Sequence, residues 1–205
     1  MPRLRILFTL LLSALVNFAF GQDPSENSAL QYFNKTEAGF GIGFGSFGTD
    51  NIRGYVKKAK NDQIIIPIQT INGIVISGRA GLGIGLGAEF WKEGMFYPVF
   101  AHFFYDFKPS DNTPFAFINL GEAFGKRDST SSYESGKGGL LFSIGIGLRK
   151  RIGKRFQFEY ELFYRYQAIT SNYRTYYDTI ASHYTTTEYK VPYNFIGFKI
   201  GVLFK

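Results

Sequence analysis

Cysteine is absent from the 205 residues, which excludes a disulfide framework, a thiolate metal site and a cysteine-linked lipid anchor. Long apolar runs are nearly absent too. A membrane-crossing helix needs about 20 consecutive apolar residues, and the one extended run, Ile6 to Phe20, is shorter and lies at the N-terminus. Histidine is limited to His102 and His183, too few to build a metal centre from converging imidazoles. Blocks of charge are scarce as well. The net charge of +7 is dispersed, and its densest run, Arg149-Lys150-Arg151 with Lys154 and Arg155, brackets a tight turn. No nucleic-acid surface is predicted from that distribution.

What the chain does have is glycine and aromatic residues, 24 Gly and 19% Phe, Trp and Tyr, arranged with a period of two. In Asn194 to Lys205 the large residues Ile196, Phe198, Ile200, Val202 and Phe204 alternate with Gly197, Lys199, Gly201 and Leu203. That is a β-strand with two unlike faces. The same pattern recurs as Phe40, Ile42 and Phe44 among glycines, as Leu82, Ile84, Leu86, Ala88 and Phe90, and as Tyr97 through Phe107. It returns from Leu140 through Leu148 and from Phe156 through Tyr166. Two further strands, Ile64 to Ile76 and Pro114 to Phe124, have apolar residues at both parities, so their facing is left open.

Ahead of these strands, Arg3 and Arg5 precede the apolar run, which ends in Ala19-Phe20-Gly21. Residues 1 to 21 are read as a cleaved secretory signal, residues 22 to 37 as a flexible periplasmic lead-in, and residues 38 to 205 as one barrel domain. The predicted fold is all-β, an eight-stranded antiparallel transmembrane up-and-down β-barrel.

Two features separate this from a soluble barrel. The apolar faces of the six clear strands carry no charge, whereas their opposite, glycine-rich faces hold Glu89, Asp106, Arg149, Glu159, Glu161, Arg165 and Lys199. A soluble barrel has the reverse polarity. Connections after the second, fourth and sixth strands are also short, and those after the first, fifth and seventh long, as in bacterial outer-membrane barrels; the three-residue link after the third strand is the exception.

On these residues the chain resembles the small outer-membrane β-barrel proteins of Gram-negative bacteria, OmpA- or OmpX-like in size. The resemblance rests on the glycine-alternating first strand, T-I-N-G at Thr70 to Gly73, P-V-F-A at Pro98 to Ala101, Y-D-F at Tyr105 to Phe107 and the closing strand. It implies location in the outer membrane, contact with outer-membrane lipid, and an assembly signal at Ile200, Val202 and Phe204 read by the barrel assembly machinery. In this chain Lys205 follows the terminal aromatic residue.

Candidate sites are few. The seven inward charges form a predicted structural network closing the lumen, since charges removed from water persist when paired. Pairing through a turn near Gly153 sets Arg149 diagonal to Glu159 and Leu141 opposite Arg165. Trp91, Phe100, Phe104 and Phe163 also face inward, which favours a plug over a selectivity ring in a small pore. Gly43 to Gly48 matches G-x-G-x-x-G, but the turn residues Thr49-Asp50-Asn51 follow in place of the helix a dinucleotide site requires. His102 and Asp106 share a face and could be half of an acid/base pair, and the favoured reading is a hydrogen-bonded interior histidine. Lipid A modification, known in some small barrels, finds no His-x-Ser or comparable outward pairing here. No catalytic, cofactor or metal residues are assigned. The Tyr- and Thr-rich segment 168 to 189 is read either as an outer loop that captures an extracellular ligand or as strands extended past the bilayer.

Overall fold

The computed structural model describes residues 30–50, 56–76, 78–92, 94–108, 110–127, 133–153, 155–176 and 184–205. The signal segment, residues 22–29 of the lead-in and His183 lie outside the described residues. Eight long strands form the barrel: β1 (Gln31–Phe44), β4 (Ile64–Val75), β5 (Ala80–Trp91), β6 (Gly94–Asp106), β7 (Asn112–Arg127), β9 (Leu140–Arg151), β10 (Phe156–Tyr176) and β11 (Tyr184–Phe204). Each pairs antiparallel with the next, and β11 closes on β1. A hairpin of β2 (Ser46–Asp50) and β3 (Val56–Lys60) follows β1, and the short β8 (Tyr133–Lys137) pairs with β7 and β10.

The register fixes the geometry. Following paired residues once around, from Asn34 through Asn72, Ile84, Ala101, Leu120, Phe142, Tyr166 and Asn194 to Phe44, returns to β1 ten residues farther along. A stagger of that size in an eight-stranded barrel tilts the strands by about 40° and leaves an interior that side chains fill. One end carries tight turns, closed by Ile76 N–H to Ala80 O at 2.8 Å, Phe107 N–H to Pro114 O at 3.0 Å and Ile152 N–H to Phe156 O at 3.1 Å. Gly78 in the first of these turns has φ +70°, a conformation that suits glycine. The other end carries the hairpin and the tall β10–β11 pair, in register from Phe156 and Phe204 to Tyr176 and Tyr184.

The facing of the six clear strands is as the alternation predicts. Phe40, Ile42, Ile84, Ile146, Leu162 and Ile196 are exposed, and Gly41, Glu89, His102, Ser143, Glu161 and Lys199 point inward. The two open strands are now assigned. On β4, Ile64, Ile66 and Ile68 face out while Ile65, Gln69 and Ile71 are buried; on β7, Ile118, Leu120 and Phe124 face out while Phe115, Phe117 and Asn119 are buried. Their parity was ambiguous because the lumen itself is apolar at these positions.

Two expectations are corrected, and one left open is narrowed. Residues 31–37 are not lead-in but the first half of β1, where inward Lys35 and Glu37 and outward Asn34 and Thr36 give the segment a polar composition without interrupting its period of two. Arg149 lies directly opposite Glu159, and Leu141 opposite Gln167 instead of Arg165, which faces Ser143; β9 and β10 pair from Arg151 and Gln157 upward. The segment 168 to 189 is mostly strand, since β10 runs to Tyr176 and β11 starts at Tyr184. This favours extension beyond the barrel over a free loop.

Candidate functional site

Among the described residues, charged side chains converge in the lumen. All seven residues predicted for the network, Glu89, Asp106, Arg149, Glu159, Glu161, Arg165 and Lys199, are at most 5% exposed. Alternation on β5, β6, β9, β10 and β11 aims them inward, and the stagger brings distant residues to one level. Lys35 and Glu37 from β1 complete the cluster. Sequence reasoning missed both because their segment was read as a loose lead-in. Continuing the alternation of Phe40 and Ile42 backwards would have found them, since it places Phe33, Lys35 and Glu37 on the glycine face.

Near the end with tight turns, Lys35 Nζ contacts Glu37 at 2.6 Å and Glu159 at 3.1 Å, and also Glu161. Lys199 Nζ lies 2.7 Å from Glu161 and also contacts Glu37, to which Gln69 Nε2 donates. Arg149 joins this cluster to β6: its Nη1 donates to both oxygens of Asp106 at 2.7 and 2.8 Å, and its Nε to Glu159 at 2.5 Å. Higher up, Arg165 pairs with Glu89. Five carboxylates thus share four cations, and Lys35 alone bridges three of them. Charge-assisted bonds of this kind offset the several kcal/mol per ion that desolvation costs, provided every partner stays in place.

Aromatic rings wall the network. The Arg149 guanidinium carbon stands 4.7 Å from the centroids of both Phe104 and Phe115, and Lys199 Nζ stands 4.6 Å from that of Phe117. These are cation–π distances. The rings lie in hollows left by glycines on neighbouring strands. A Cβ added at Gly147 would sit 2.5 Å from the Phe115 ring, one at Gly145 2.6 Å from Phe117, and one at Gly197 2.6 Å from Phe163. Inward glycines therefore supply the space that the phenylalanines fill. Trp91 packs against Phe96, Tyr193 and Phe195 at centroid distances of 5.0, 5.3 and 4.9 Å and closes the opposite end.

The alternative chemistries find their residues occupied. Glu37, Glu159 and Glu161 hold oxygens within 4.8 Å of one another, a spacing that suits a cation, but the ammonium groups of Lys35 and Lys199 already contact them. His102 does not pair with Asp106. Its Nδ1 lies 2.6 Å from Asn119 Oδ1, Asp106 is engaged by Arg149, and the imidazole sits among Phe33, Phe104 and Phe117. Gly43 to Gly48 runs from β1 into β2, with strand where a dinucleotide site needs a helix.

No protein-family model and no curated protein sequence matches the chain. Among solved structures, the outer membrane protein OprG from Pseudomonas aeruginosa aligns with a TM-score of 0.55 at 11% identity, covering 83% of this chain and 95% of that one. Neisserial surface protein A (NspA) aligns at 0.47 and 14% identity over 85% and 97% of the two chains. The E. coli outer membrane protein W aligns at 0.40 and 13% identity over 85% and 98%. What this chain shares with OprG at that identity is the fold, a closed antiparallel barrel of eight strands.

Proposed function

We propose that this chain is an integral outer-membrane barrel with a structural or surface-interaction role, its lumen closed by its own ion pairs, and that it is neither an enzyme nor an open channel. The observation that carries the reading is the inverted polarity of the wall. Outward Phe40, Ile64, Leu120, Ile146 and Ile196 are each more than half exposed, while inward lysine, arginine, glutamate and aspartate are almost wholly buried. A largely apolar band around a protein is stable when lipid covers it.

Occlusion supports the plug. The charges are bonded to one another rather than ringed around an opening, and phenylalanine fills the glycine hollows beside them. The reading also includes export through residues 1 to 21, recognition of the outward stripe Ile200, Val202 and Phe204 by the barrel assembly machinery, and a ligand at the raised β10–β11 end. Conductance of the purified protein in planar lipid bilayers tests it. The expected result is no steady current; stable ion-selective channels would replace the plug with a pore. Unboiled protein should also migrate differently from boiled protein on detergent gels, because a closed barrel has no edge from which to unravel.

A further inference from the structure

Among the described residues, the outward side chains within the apolar band are apolar or aromatic except at Glu122, between Leu120 and Phe124 on β7, and over a patch on β1 and β4, where Asn34, Thr36, Thr70 and Asn72 face out. Because one circuit of the barrel climbs ten residues along β1, each residue along a strand rises about 2.4 Å on the axis, and each sideways step to the next strand about 3 Å. On that scale Thr36 and Thr70 stand within about 3 Å of the level of Ile84, Ile118, Ile146 and Ile200. The two threonines therefore lie inside the apolar band, and Asn34 and Asn72 each stand about 5 Å nearer the tight-turn end. On β4 the patch is bracketed by Ile68 on one side and by Ile74 and Ile76 on the other.

These side chains bond partly to one another. Asn34 Nδ2 donates to Asn72 Oδ1 at 2.8 Å and to Thr70 Oγ1 at 3.4 Å, Tyr32 O–H donates to Asn72 Oδ1 at 2.5 Å, and Thr36 and Thr70 hydroxyls meet at 3.3 Å. One acceptor and one donor remain: Asn34 Oδ1 and Asn72 Nδ2 have no partner among the described residues. Hydrocarbon offers neither, and an unbonded amide there costs several kcal/mol.

Resting on the membrane reading above, we infer that this face joins two copies of the chain inside the bilayer, related by a two-fold axis along the membrane normal. Such an axis preserves height and sets β4 of one copy against β1 of the other. The spare Asn72 N–H then meets the spare Asn34 carbonyl of the partner, and symmetry makes the bond twice. A lipid carries no donor and acceptor fixed at this spacing, and an unrelated protein would have to bring both. A second copy carries them by identity. Polar groups with small neighbours, here Ala38 and the two threonines, are what membrane-embedded contacts use.

The chain has no cysteine, so Thr70→Cys introduces a unique thiol close to the proposed axis. In protein refolded into lipid vesicles, copper-phenanthroline oxidation should link Thr70→Cys into dimers, while Ile144→Cys on the far wall stays monomeric. Adding Asn34→Leu with Asn72→Leu should cut the dimer yield at least five-fold with the heat-dependent gel shift retained. Inserted Thr70→Cys that stays monomeric, or links no better than Ile144→Cys, overturns the inference alone, as does cross-linking in native membranes chiefly to a different protein. Failure of the unsubstituted chain to insert overturns the membrane reading and this inference with it.

Discussion

Arg149→Met removes the cation that ties β9 to both β6 and β10 while keeping a flexible apolar stem between Phe104 and Phe115. Asp106 then loses both of its bonds, at 2.7 and 2.8 Å, in a site where it is 5% exposed. Glu159 loses its 2.5 Å donor but keeps Lys35 at 3.1 Å. Removing one partner of a buried pair costs about 3–5 kcal/mol, and the residual Lys35 contact sets the expectation at about 3 kcal/mol. Most of that loss is the uncompensated Asp106 carboxylate, so Arg149→Met combined with Asp106→Leu should recover at least half of it. The assay is urea unfolding in lipid vesicles, followed by fluorescence of Trp91, the only tryptophan in the chain. A single variant that loses less than about 1 kcal/mol, or a double variant less stable than the single one, would refute the claim that paired charge holds the lumen together.

Gly147→Ala should cost about 1–3 kcal/mol by overpacking, because its Cβ would meet the Phe115 ring at 2.5 Å and Tyr160 O at 2.7 Å; Phe115→Leu in the same chain should restore part of the loss, measured by the same unfolding midpoint. Ile144→Arg places a charge in hydrocarbon at a cost of about 2–4 kcal/mol, whereas Ser143→Ala loses only the hydroxyl donated to Tyr164 O and costs about 1 kcal/mol; folding yields ranked the other way would invert the assigned facing. EDTA should leave the midpoint unchanged in defined vesicles, since Lys35 and Lys199 occupy the cation positions among Glu37, Glu159 and Glu161. A clear fall on chelation would place a metal ion there.

Much of the wall was legible because glycine marks the inward face so strongly. On β5, β9 and β11 small residues alternate with Leu, Ile, Val and Phe, and both the facing and the seven inward charges follow from parity alone. Legibility failed where the lumen departs from that rule. Ile65 and Ile71 on β4 and Phe115 and Phe117 on β7 are apolar and inward, so neither parity of those strands looks like solvent. Around Asn34 to Glu37 both faces are polar, and a strand there resembles a tail. The partnerships were less legible still. Arg149 and Asp106 are 43 positions apart, and Lys199 and Glu37 are 162 apart. Only the stagger of the closed barrel brings each pair to one level. A two-residue error in the β9–β10 turn was enough to turn the direct Arg149–Glu159 pair into a diagonal one.

The central claim is that lipid lies against the apolar face and that the charged and aromatic face is sealed inside. Quenching of tryptophan by lipids brominated on their acyl chains measures this directly in folded protein. Native Trp91 points into the lumen and is 8% exposed, so acyl-chain bromine should leave its emission nearly unchanged. In a Trp91→Phe background, Ile144→Trp should be strongly quenched, most of all with bromine near the bilayer centre. Trp91 quenched as deeply as a tryptophan at position 144, or position 144 left bright in inserted protein, would contradict the account.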